Sequence, residues 1–118
     1  MDLELVNLTP HAIVLMHDGV STTVPPSGTV ARVQSVPGAR IEIAGLPCPA
    51  FTAPTFGAVE NLPAPCAGKV FIVSAMVAAQ CIGRDDVVSP GTGPQDGAVR
   101  DESGRIVAVT RLILAPSK

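Results

Sequence analysis

The chain has 118 residues, a mass of 12.0 kDa, a formal net charge of −2 and a pI near 5.5. That length predicts one compact domain over 1–118 with no linker. An acidic balance with no Trp, no Tyr and three Phe speaks against a general binder of nucleic-acid polymers, which needs a basic excess and stacking surfaces. No apolar stretch reaches the ~20 residues of a membrane helix, because Pro, Gly or a charge interrupts each one.

Charged residues make up 15% of the chain and hydrophobic ones 47%, with a mean hydropathy of +0.42; about 25% charge is usual for soluble domains. So small a domain cannot bury all that apolar surface. The expectation is a homo-oligomer whose contacts cover the remainder. The opening Met1-Asp2-Leu3-Glu4 lacks the basic segment of a secretory leader, so a cytoplasmic location is expected. Cys48, Cys66 and Cys81 include no C-x-x-C pair and stand far in sequence from His11 and His17. No metal site or cofactor is therefore expected, and Cys81 reads as a small buried hydrophobe.

Glycine and proline number 11 and 12 and are spread throughout, which predicts many short elements. Strands are expected at Leu3–Val6, Ala12–Met16 and Val20–Val24, the last two joined by an Asp18-Gly19 hairpin turn that requires positive φ. Asn7-Leu8-Thr9-Pro10-His11 reads as a turn held by its own polar side chains. Further strands are expected at Thr29–Ser35 and Arg40–Ala44. Gly45 to Gly68 carries five prolines and reads as a packed loop, with an edge strand at Ala50–Ala53 and Phe56 buried beneath it. Lys69–Val73 predicts a strand, followed by an Ser74 N-cap, a helix from Ala75 to about Ile82 and a stop at Gly83. Val87 and Val88 form a short strand, Ser89–Gly97 a loop, and Ala98–Asp101 a hairpin partner for Arg105–Leu114, the longest strand. The fold class is α+β: mostly antiparallel β with short strands and one short helix.

No catalytic constellation stands out. There is no nucleophile elbow or phosphate-binding loop, and Asp85-Asp86 has no third ligand at a telling spacing. Arg84 and Arg100, each beside an acid (Asp85 and Asp101), read in two ways: guanidinium forks for phosphate, or a structural ion-pair network joining two strands. The expectation is a protein that is not an enzyme; a small hydrolase would need Asp85, Asp86 and His11 to converge.

Asn7-Leu8-Thr9-Pro10-His11, Pro26-Ser27-Gly28 with Val30-Ala31-Arg32-Val33, and Phe56-Gly57 before Val59-Glu60-Asn61-Leu62-Pro63 form a pattern. Phe71-Ile72-Val73-Ser74-Ala75-Met76-Val77-Ala78, Arg84-Asp85-Asp86-Val87 and Val99-Arg100-Asp101-Glu102-Ser103-Gly104-Arg105 continue it. From residue 5 to about 108 the chain resembles the first-described family of phage Thoeris anti-defence proteins. The resemblance implies a non-catalytic sponge for glyco-cyclic ADP-ribose, the signal of bacterial TIR-domain immunity, with cyclic oligonucleotides of CBASS systems as further ligands of some members. It also implies a dimer or hexamer that encloses the ligand where subunits meet. A cyclic, doubly phosphorylated nucleotide needs a plane for adenine, cations for phosphate and polar groups for ribose. Phe71, Arg84 and Arg100 are the candidates for the first two, with Gln80, Asp85 and Thr92 as ribose or base-edge partners. The Ser89–Gly97 loop is long and Gly-rich for the family, either a loop that closes over ligand or an insertion. The alternative from a different class is a phage structural or assembly protein without a small-molecule ligand.

Overall fold

In the computed structural model, which describes residues 3–117, the body is built on a four-stranded sheet. Its order is β1 (Glu4–Asn7), β8 (Lys69–Ile72), β9 (Val87–Pro90) and β12 (Leu112–Leu114). Between β8 and β9 the chain crosses over through one helix, α1 (Ala75–Ala79), so β9 returns parallel to β8; β1 also runs parallel to β8, and β12 is antiparallel to β9. The strand-rich α+β character is as expected, and the small peripheral sheets are antiparallel. The central sheet is mixed, because a strand–helix–strand crossover returns the chain in the same direction.

Phe71 on β8 and Val73 just beyond it meet Val77 and Ala78 from the helix, Cys81 from the turn that follows it, and Leu8, Ala31, Val87 and Ala115 from other segments to form the core. Phe71 at 2% exposure is its largest side chain. Ser74 caps α1 as expected, its Oγ accepting from the Val77 N–H at 3.3 Å. The helix ends at Ala79, short of the expected Ile82. Gln80 and Cys81 N–H groups donate back to the Val77 and Ala78 carbonyls, a tightened turn that carries Cys81 into the core.

β2 (Ile13–His17) and β3 (Val20–Val24) form the expected hairpin, with φ of 51° at Asp18 and 77° at Gly19. The expected Arg105–Leu114 strand is broken in two. β11 (Ile106–Ala108) pairs with β10 (Val99–Arg100), and Val109 then bonds across to β2 through Met16 N–H and Val14 carbonyl, both at 2.9 Å. Only afterwards does the chain enter β12. A single segment serving three sheets cannot remain one straight strand.

The largest departure lies between residues 32 and 60. β4 (Arg32–Val36) pairs with β7 (Thr55–Glu60), and β5 (Arg40–Ile41) with β6 (Ala50–Phe51), in one continuous two-stranded ribbon. The proline-rich loop therefore contains the longest strand, β7, whose six residues hold no proline. Phe56, expected to be buried, lies exposed on it. Val33 and Val59 at the ribbon's base lie against the core, while the rest projects into solvent. The radius of gyration is 17.2 Å and the extents 58 × 39 × 27 Å, against about 13–14 Å for a compact domain of this length.

Candidate functional site

Each of the six residues predicted from sequence to bind ligand has a definite place, and they do not converge. Phe71 is inside the core and offers no ring face to a ligand, which corrects its assignment as the adenine plane. Gln80 is the exposed C-cap of α1. Arg84 and Asp85 line a shallow hollow of about 180 Å³ against Leu114 and Pro116. Thr92 lines another of about 170 Å³ between β2 and β11. Arg100 lies on the exposed β10–β11 hairpin.

The arginines explain why. Arg84 donates Nε to Asp86 Oδ1 at 2.8 Å and Nη2 to Asp86 Oδ2 at 2.9 Å, and Nη2 also reaches the Pro63 carbonyl at 3.1 Å. Its partner is Asp86, not the adjacent Asp85. The fork holds the buried Asp86 carboxyl below the ordinary carboxylate range, against the opposing effect of burial, and raises the Arg84 pKa in turn. Of the two readings open to Arg84, the structural clamp fits: phosphate would have to displace a buried carboxylate. Arg100 donates to the Gly104 carbonyl at 2.9 Å, while Asp101 accepts from Ser103 and Arg105 within the same turn. Neither arginine pairs with its sequence neighbour.

The expected Ser89–Gly97 loop gives its first two residues to β9, and the remainder is also anchored. Asp96, 8% exposed, takes the Arg111 Nε at 2.9 Å and the Gly93 N–H at 2.8 Å. Gly91 sits so close to Arg111 that a Cβ there would meet its carbonyl oxygen at 2.9 Å. These contacts hold the loop to β12. Cys81 is buried as expected, burial pushing its thiol pKa up, and its Sγ donates to the Val77 carbonyl at 3.2 Å.

A groove of about 330 Å³ lies where three segments distant in sequence meet. Leu8, Thr9 and Pro10 come from the turn after β1, Val30 to Val33 from the approach to β4 and its first two residues, and Ser74, Met76 and Val77 from the start of α1. The turn is fixed by Asn7, itself 1% exposed. Its Nδ2 donates to the His11 and Val24 carbonyls at 2.8 and 3.0 Å, and its Oδ1 accepts from the Thr9 N–H and hydroxyl at 2.9 and 2.6 Å. The Ala31 N–H donates to the Leu8 carbonyl at 2.9 Å, which ties the second segment to the first. The lining is mostly apolar, with Thr9, Ser74 and Arg32 as its polar groups, an arrangement typical of small-molecule sites. Arg32 is exposed and, among the described residues, has no acidic partner within ion-pair distance. Glu60, opposite it in the ribbon, is taken by Gln34 Nε2 at 2.7 Å. Sequence reasoning missed Arg32 as a site residue, although it lies in the Val30-Ala31-Arg32-Val33 segment. The signal lay in combining that segment with the Asn7–His11 turn and Ser74, a juxtaposition that only the fold supplies.

Among the described residues no cluster of three or more His, Cys, Asp or Glu is placed to hold a metal ion, and no helix is long and apolar enough to cross a membrane. No family model, curated protein or solved structure matches this chain.

Proposed function

We propose that the protein sequesters a cyclic nucleotide immune signal, glyco-cyclic ADP-ribose or a cyclic oligonucleotide, holding it without cleavage. It does so as a phage or prophage protein in the host cytoplasm, against TIR/Thoeris-type and CBASS defence, and as a homo-oligomer. The observation that carries the reading is the meeting of Asn7–His11, Val30–Val33 and Ser74–Ala78 at one groove. These are three of the segments in which the chain resembles the anti-defence family. The groove supplies apolar surface for a base, the Ser74 O–H and the remaining lone pairs of the Thr9 hydroxyl for ribose, and the Arg32 guanidinium, unpaired among the described residues, for phosphate. At about 330 Å³ in a single chain it is at the lower end of ligand sites, ~300–1,000 Å³. A neighbouring subunit would complete its wall.

Equilibrium dialysis against the purified nucleotides, followed by heating and chromatography of the released ligand, tests this. Arg32→Ala weakens binding at least about tenfold, the loss of a charge-assisted hydrogen bond. Arg105→Ala, which removes an equal charge from the exposed β11 approach, leaves it unchanged. Ligand released from the wild-type protein is intact. Equal binding by all three proteins removes the groove from the account, and a cleaved product removes the sponge. The alternative, a phage structural or assembly protein, draws support from the uncovered ribbon and takes precedence if no nucleotide binds.

A further inference from the structure

We propose that the β4–β7/β5–β6 ribbon is the assembly element of this protein, an arm that lies on a second copy of the chain and is answered by the partner's arm in return. An isolated two-stranded ribbon is marginal in water at best, and this one has no layer behind it beyond its base. Val36, Ile41, Ile43, Leu46, Phe51 and Phe56 all stand exposed along it, Phe51 by 60% and Ile43 by 53%. Yet its path is well defined. The Thr52 N–H donates to the Ala39 carbonyl, and the Thr52 hydroxyl accepts from the Ala39 N–H, each at 2.8 Å. Gly38 is pressed so hard on Thr52 that a Cβ there would collide with its carbonyl oxygen.

Three observations select a second copy as the occupant. Val36 and Phe56 stand on opposite faces of the ribbon, as do Ile41 and Phe51; the six side chains on its two faces together leave on the order of 600 Å² of apolar surface per chain, so two arms clasped on both faces bury, with the surfaces that clasp them, on the order of 2,000 Å², where obligate homodimers begin. Between Pro37 and Pro54 the only charges are Arg40 and Glu42, 3.5 Å apart, so the arm presents no field to select a charged partner such as nucleic acid or an acidic peptide. The same chain leaves Ile82, Ile113 and Leu114 exposed on the body, apolar positions of the character that reciprocal contacts between identical subunits require. This rests on the oligomeric part of the proposed function and is independent of the nucleotide.

The test is mass in solution by sedimentation equilibrium. Val36 and Thr55 are directly paired, so replacing Pro37–Pro54 by Asn-Gly closes the β4–β7 hairpin with a two-residue turn. The wild-type protein gives a multiple of 12.0 kDa, and the shortened variant gives the mass of one chain with far-ultraviolet circular dichroism still showing folded strands. The double variant Ile43→Asp/Phe51→Asp, at positions exposed in the single chain, also gives one chain and decides the matter if the shortened variant does not fold. Variants that keep the wild-type assembly overturn the arm alone. A monomeric wild type overturns both the arm and the oligomeric reading, and failure of nucleotide binding leaves the masses unaffected.

Discussion

Asn7→Leu lowers the stability of the fold by about 3 kcal/mol or more, the largest effect expected of a single substitution outside the apolar core. The Asn7 amide uses both donors and accepts twice, joining β1, the Thr9–His11 turn and the end of β3. Its backbone carbonyl accepts from the Ser27 N–H at 2.9 Å as well. An apolar replacement removes the buried bond to the Val24 carbonyl and the part-buried one from the Thr9 N–H, each at a cost of about 1–3 kcal/mol. Asn7→Asp is at least as costly at neutral pH. It has the same shape, but turns a carboxylate oxygen towards two carbonyl oxygens 2.8 and 3.0 Å away and buries a charge. Thermal unfolding reads both as a fall in Tm of roughly 10 °C or more. Because the turn forms one wall of the groove, the same variants lose ligand affinity in proportion to the fraction unfolded.

Arg84→Ala is expected to cost about 2–3 kcal/mol, less than the ~3–5 kcal/mol of a fully buried pair because the Arg84 side chain is 23% exposed. The loss is mainly that of an Asp86 carboxylate left buried without its fork, together with the Pro63 carbonyl. Arg84→Lys recovers little, since an ammonium cannot engage both carboxylate oxygens in the same plane. The pair also sets a pH dependence. The folded-state pKa of Asp86 is lowered, first by the hydrogen bonds from Arg84. Its contribution to stability is therefore fully present above the unfolded carboxyl value of about 3.9 and is lost as pH falls through the folded value. Denaturant titrations from pH 7 downward show wild-type stability falling below about pH 4. Asp86→Asn, lower at pH 7, shows a shallower decline over that range; equal slopes would contradict the clamp.

Local chemistry made part of the fold legible. Asp18-Gly19 specified its hairpin, Ser74 its helix start, and the polar Asn7–Thr9 pair its turn, because each acts over a few residues on its own backbone. Cys81 was legible for the same kind of reason, an apolar neighbourhood on a short helical turn. Long-range pairing was not. Nothing local in Arg105–Leu114 says that Val109 leaves for β2 before Leu112 joins β9. The prolines at 47, 49, 54, 63 and 65 suggested a loop, but Pro54 and Pro63 fall outside the Thr55–Glu60 strand and leave it uninterrupted. The site was less legible than the fold. Phe71 satisfies the chemistry of a stacking plane, yet its strand is covered on that face by α1. Arg84 satisfies the chemistry of a phosphate fork, yet a carboxylate two residues away takes it. An arginine's availability depends on where all the acids and carbonyls end up, and that is a property of the assembled chain.

As proposed above, the protein holds a cyclic nucleotide without transforming it. Calorimetric titration of the wild-type protein with glyco-cyclic ADP-ribose isomers and a panel of cyclic di- and trinucleotides tests it most directly. Saturable, nanomolar binding of one of these classes is expected, with the ligand recovered intact after heat denaturation. Absence of heat with every member of the panel, from protein shown to be folded, would contradict it.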